Sequence, residues 1–180
     1  LQNIHLTNQS DRLAWIAETL KLQFFENKSG IIYCLTVEDT ERVAGWLQHK
    51  GFKAEAYHAG NNSEIDRSFL EQAFQRNDIQ ILVATVALGM GFDKPDVDFV
   101  IHFQRPGSVI AYYQQVGRAG RASNKSYGIL LSGAEDDEIQ NYFIESAFHP
   151  IQVFEKILAT LENRENMAMQ EILAHVNISR

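Results

Sequence analysis

Five short apolar runs recur along this chain, and the stretches between them are mostly helical in spacing. IIYCL at 31–35 is continuous and rich in β-branched residues, the pattern of a strand buried on both faces. KAEAYHAG (53–60), QILVAT (80–85), DFVIHF (98–103) and YGILLSG (127–133) read as further strands with their exit loops. Residues 10–24 place Leu13, Ile16, Ala17 and Leu20 on one helical face, with Ser10 or Asp11 as the cap. VEDTERVAGWLQHKG predicts a helix with acids in its first turn and Gly51 ending it. NNSEIDRSFLEQAFQRND predicts another, capped near Asn62 or Ser63, and SVIAYYQQV a short one. Strands alternating with helices imply an α/β domain: a mostly parallel sheet covered on both faces, with ligands beyond the carboxyl ends of the strands.

The pattern changes after about residue 133. AEDDEIQNYFIESAF reads as an amphipathic helix, and Pro150 suits the first turn of a second, IQVFEKILATLEN. MAMQEILAHVNISR reads as one more helix and the turn after it. The expected organisation is a main domain over 1–132, a small helical appendage over 133–165, and the start of a further element over 166–180. The chain opens without Met, which reads as a piece of something longer.

Composition removes several classes. With 45% hydrophobic and 22% charged residues the chain is of the ordinary globular type, and no apolar run approaches the roughly 20 residues of a membrane span. A single cysteine, Cys34, excludes an internal disulfide and a cysteine-based zinc cluster, and its place in IIYCL suits a small core residue. Six histidines show no ligand spacing, so no metal site is expected. A net charge of −7 is unusual for a stand-alone nucleic-acid module, but the acids gather in EDDE at 135–138, away from the arginines considered next.

QQVGRAGR, residues 114–121, carries two arginines three positions apart, each after a glycine. Two guanidinium forks at this spacing can grip one polyphosphate and neutralise charge on a transferred phosphoryl group. Taken alone, the pattern fits a Gly-Arg surface loop equally well. ATVALGMGFDKPDV, residues 84–97, follows a strand with two glycines around Met90. Its amides can meet phosphate and Asp93 can bond a sugar hydroxyl, although an ordinary turn after a strand has the same look. YHAG at 57–60 offers His58 to a phosphate, against the commoner reading of a structural histidine. Neither a GxxxxGK[ST] cradle nor a DExH-type acidic box is present, so a complete ATPase site needs another domain. The GxGxxG turn of a dinucleotide-binding metabolic domain is missing too.

IIYCLT, YHAG, ILVATVALGMGFDKPDV and QQVGRAGR occur in that order over residues 1–132, and together they resemble motifs IV to VI of a superfamily-two helicase of the RecQ family. The resemblance implies a RecA-like second motor domain of a 3′–5′ DNA helicase, inactive as an ATPase by itself. It implies ATP and Mg²⁺ bound mainly by a preceding RecA-like domain, and single-stranded and duplex DNA as partners. It implies no membrane, and a cytoplasmic or nuclear setting. Residue by residue, Arg121 resembles the arginine finger, Arg118 its partner and Gln114 the polar organiser of the motif. Asp93 resembles the residue that meets the ribose, with Gly91 beside it in the ATP-binding segment. Thr36, His58, Gly60, Thr85, Gly89 and Met90 lie in segments resembling contacts to the DNA backbone. Many RecQ proteins continue into a platform holding zinc with four cysteines. This chain has no cysteine after Cys34, so residues 133–165 either replace the platform with plain helices or mark a zinc-free branch. Residues 166–180 resemble the opening of a winged-helix domain. A binding module that does not translocate and an RNA helicase remain as alternatives on the same motifs.

Overall fold

The computed structural model describes residues 1–147 apart from 23, 24, 26, 61–63, 89–91, 123 and 124, together with 155, 158, 159 and 161. Strands β1 (Gln2–His5), β2 (Ser29–Tyr33), β3 (Ala54–Tyr57), β4 (Ile81–Ala84), β5 (Val97–His102) and β6 (Tyr127–Ser132) form one sheet, ordered β1-β6-β5-β2-β4-β3. Every adjacent pair is parallel. Parallel strands need a covering layer on each face, and the sequence supplies side chains for both. Along β2 and β5 the pleat sends Ile32, Phe99 and Ile101 to one core and Ile31, Tyr33 and Val100 to the other. Helices α1 (Gln9–Leu20) and α2 (Val37–His49) cover the first core with Ile16, Leu20, Val43 and Leu47. Helix α3 (Glu64–Gln75) covers the second with Ala73 and Phe74, and α4 (Val109–Val116) lies against β5. The three-layer α/β arrangement expected from the apolar runs is the one observed.

Some local expectations need correction. β1 was not foreseen: it has four residues and one apolar side chain, Ile4, and is held as an edge strand by its ladder to β6. α1 is capped by Asn8, whose Oδ1 accepts from Asp11 N at 2.9 Å, so the helix opens before Ser10, and it ends at Leu20 where Leu22 N turns back to Thr19 O. β2 begins at Ser29 and ends at Tyr33, leaving Cys34 and Leu35 in the exit turn. Gly51 ends α2 as expected, at φ +89°, with Phe52 N closing on Leu47 O. The cap sought at Asn62 or Ser63 and residues 166–180 lie outside the described residues; of the helix expected after Pro150, the described residues are 155, 158, 159 and 161, and all four are helical.

Helix α5 (Glu135–Ala147) begins with a buried anchor. Arg12 is fully buried, and its Nη1 donates to Phe103 O at 2.7 Å and to Asp136 Oδ1 at 2.8 Å. Asp136 Oδ2 accepts from the amides of Arg105 and Gly133, each at 3.2 Å. The chain divides into two compact units, residues 1–137 and 138–180. In the second, Tyr142, Phe143 and Ile144 are exposed. Among the described residues no helix is long and apolar enough to cross a membrane.

Candidate functional site

Helix α4 runs back along the sheet, so the turn that follows it sits at the amino end of β5. Gly120 N bonds Val97 O and Ala122 N bonds Pro95 O, each at 3.0 Å. Gly120 has φ +85°, and a Cβ there would come within 2.4 Å of Ser126 Oγ, so this glycine is required by the turn itself. Arg118 and Arg121 thus do not lie at a carboxyl strand end, as expected for the ligand-binding segments. The return direction of the crossover helix moves them to the opposite end.

Beside this turn is an open groove of about 560 Å³ lined by Phe92, Asp93, Tyr113, Gln114, Arg118 and Arg121 among others. The structure brings together four of the residues singled out in the sequence. Arg121 Nη1 pairs with Asp93 Oδ1 at 2.6 Å, with both side chains about half exposed. Arg118 is half-buried: Nη1 donates to Phe92 O at 2.8 Å and Nη2 to Leu88 O at 3.3 Å. The two forks differ in exposure: Arg118 is half-buried on two backbone carbonyls, while the more exposed Arg121 holds Asp93 and, through Nε at 3.4 Å, Gly117 O of its own turn. Gln114 is exposed on the groove wall. The Asp93 backbone is itself held, since Gln75 Nε2 donates to Asp93 O at 2.6 Å. Buried Lys94 bonds Asn77 Oδ1 at 2.9 Å and Asp96 Oδ2 at 2.7 Å.

Of the residues expected on DNA, the described ones, Thr36, His58, Gly60 and Thr85, follow the carboxyl ends of strands. Thr36 follows β2 and caps α2, its hydroxyl accepting from Asp39 N at 3.0 Å and donating to Asp39 Oδ2 at 2.8 Å. Thr85 follows β4, is 7% exposed, and accepts from Ala87 N at 3.2 Å. His58 follows β3 and is buried, with Nε2 3.3 Å from Glu41 Oε1. Gly60 packs so close to it that a Cβ would stand 3.1 Å from His58 Nδ1. Gly89, Met90 and Gly91 lie outside the described residues.

Residues 11–123 match the model of the helicase conserved C-terminal domain. The chain belongs to this family, as a C-terminal helicase domain of the RecQ type. It is 50% identical over 106 residues to the ATP-dependent DNA helicase RecQ of Pasteurella multocida, covering 59% of this chain and 17% of that protein. It is 49% identical over 137 residues to the putative ATP-dependent DNA helicase Q1 of Caenorhabditis elegans, covering 76% of this chain and 21% of that protein. The chain thus spans about a fifth of these relatives or less. The fold is similar to that of the DEAD-box protein SrmB of E. coli, solved with regulator of ribonuclease activity A. There the TM-score is 0.68 and the identity 25%, over 80% of this chain and 85% of that one.

Sequence reasoning missed several polar residues of this helicase domain. Gln115, next to the Gln114 it chose, is the buried one: the His102 Nε2–H donates to its Oε1 at 3.0 Å. Gln104, also buried, accepts from Leu35 N at 3.0 Å and donates to Asp39 Oδ2, tying β5 to the capped start of α2. The available signal was a histidine and a glutamine inside or just after the apolar run DFVIHF, where each needs a buried partner. Burial pushes the His102 imidazole down to about 4. Burial also pushes the Tyr33 phenol up to about 12, against the pull of nearby Arg118.

Proposed function

We propose that this domain is the second motor half of an ATP-dependent 3′–5′ RecQ-type DNA helicase. It supplies Arg121 to a nucleotide held by a preceding RecA-like domain, and its carboxyl rim forms part of the DNA track. The observation that carries this reading is the exposed Arg121–Asp93 pair on an open groove with no phosphate cradle in the chain. An exposed guanidinium held by one carboxylate exchanges partners at little cost. On meeting a γ-phosphate, Arg121 leaves Asp93, which is then available to a ribose hydroxyl. Arg118 keeps its bonds to the Leu88 and Phe92 carbonyls while this happens. Asp93 is the one carboxylate among the described residues lining the groove, so Mg²⁺ and most of the triphosphate belong to the preceding domain. The domain by itself does not hydrolyse ATP.

Val109, Ile110 and Tyr113 are exposed on α4, and Tyr113 also lines the groove. This apolar face suits cover by the preceding domain when ATP draws the two together. At the rim, the capped starts of α2 and α4 present backbone amides suited to phosphate oxygens. Thr36, His58, Gly60 and Thr85, with Gly89 and Met90, contribute to backbone contacts, which carry no base specificity.

The test is DNA-stimulated ATP hydrolysis by the full-length protein. Arg121→Ala lowers kcat by on the order of 10³-fold while ATP binding persists, the behaviour of an arginine finger. An unchanged kcat removes Arg121 from the reaction and the motor-half reading with it.

A further inference from the structure

The carboxyl end of β5 carries three cross-links in three successive residues. His102 bonds Gln115 of α4, Phe103 O takes Arg12 of α1, and Gln104 joins Leu35 N to Asp39 of α2. Gln115 lies in the last turn of α4, and its own carbonyl accepts from Arg118 N at 3.2 Å. A side-chain bond at one end of Gln115 and a backbone bond at the other therefore connect β5 to the arginine turn. His102 is fixed in orientation between the rings of Tyr33 (centroids 5.7 Å apart, nearly parallel) and Tyr112 (5.0 Å). On its outer side α4 has the exposed Val109, Ile110 and Tyr113, which give it no hold on the sheet.

We infer that His102 and Gln115 are positioning residues for Arg121, holding α4 and the turn after it in register with the carboxyl rim. A buried hydrogen bond is directional, and a core of apolar contacts alone leaves a short helix free to slide. The imidazole stays uncharged across the physiological range, so the bond does not change with pH. Neither side chain lines the groove, so both act through the backbone that carries Arg118 and Arg121. A displacement of about 1 Å at a reacting group costs on the order of 10²-fold in rate.

This inference rests on the motor-half reading, and the experiment separates the two. The full-length helicase is assayed for DNA-stimulated ATP hydrolysis as wild type, Gln115→Leu, Gln115→Glu and Arg121→Ala. Gln115→Leu keeps the volume and removes the acceptor; kcat falls by about tenfold to a hundredfold while KM for ATP moves less than about twofold, the split expected of lost positioning. Gln115→Glu keeps an acceptor oxygen in place and restores kcat to within about threefold of wild type. Gln115→Leu at the wild-type rate beside an inactive Arg121→Ala overturns the inference alone. So does a Gln115→Glu enzyme as impaired as Gln115→Leu, since the bond is then not what matters. Arg121→Ala at the wild-type rate overturns the reading on which both rest.

Discussion

Thr36, His58 and Thr85 stand at the carboxyl ends of three neighbouring strands, and each has polar atoms engaged inside the domain, with an amide, a carboxylate or both. Arg121 and Asp93 stand near the amino end of β5, about half exposed, and engage each other. Among the described residues, then, the rim's side chains are engaged by their own chain: its hydroxyls cap a helix and a turn, and the capped helix starts offer a ligand backbone amides. In the proposed motor-half reading the groove is half of a site. Its charged groups satisfy one another until something with a stronger claim on a guanidinium arrives. A region of the first kind registers substitution as lost stability, and a region of the second kind registers it as lost activity.

The largest stability effect belongs to the anchor beneath the rim. Arg12 and Asp136 are both buried, and Arg12 also holds Phe103 O, one residue before Gln104. Arg12→Met leaves the Asp136 carboxylate buried without its cation, which costs about 3–5 kcal/mol. Urea unfolding of residues 1–180 reads this directly. A loss below about 1 kcal/mol would show that the pair is solvated in solution and that the rim is not anchored through it.

A smaller effect comes from pH. The folded His102 titrates near 4, and an unfolded histidine near 6.5. Between those values the unfolded chain binds a proton that the folded chain refuses, so stability is full above about 6.5 and falls as pH drops towards 4. The whole window amounts to about 3 kcal/mol. The measurement is the slope of unfolding free energy from pH 7 to 4.5 in wild type and in His102→Gln, which shares every other titrating group. Equal slopes would mean that the imidazole is reached by water, since burial is what pushes its pKa down and the bond to Gln115 pulls the other way.

The sequence carried the layers and the motif segments, because strands buried on both faces leave continuous apolar runs and glycines mark sharp turns. It carried the pairing of Asp93 with Arg121 only as membership in one site, since residues 28 positions apart along the chain meet through the fold. What it hid has a common cause. β1, Gln115, Gln104 and the Arg12–Asp136 anchor are polar or short, and their roles come from a single partner far along the chain rather than from any period. EDDE read as an acidic patch, yet its second residue is a buried structural acid, because Arg12, 124 positions earlier, reaches it. Likewise Gln114 and Gln115 are indistinguishable by type. The helix turns one towards His102 and the other towards the groove.

The smallest stability effect is expected where the largest catalytic one lies. The Arg121–Asp93 pair is exposed on both sides, 48% and 59%, and such pairs contribute under about 1 kcal/mol, less as salt rises. Arg121→Ala and Asp93→Ala should therefore unfold at nearly the wild-type urea concentration. In the full-length enzyme, Arg121→Ala still loses its on-the-order-of 10³-fold in kcat. This dissociation between stability and rate separates a half-built site from a structural ion pair. If either substitution cost more than about 2 kcal/mol, the pair would be holding the turn to the Asp93 loop as Arg118 does. The groove would then be as finished as the rim, and its arginine would have no freedom to leave Asp93 for a phosphate.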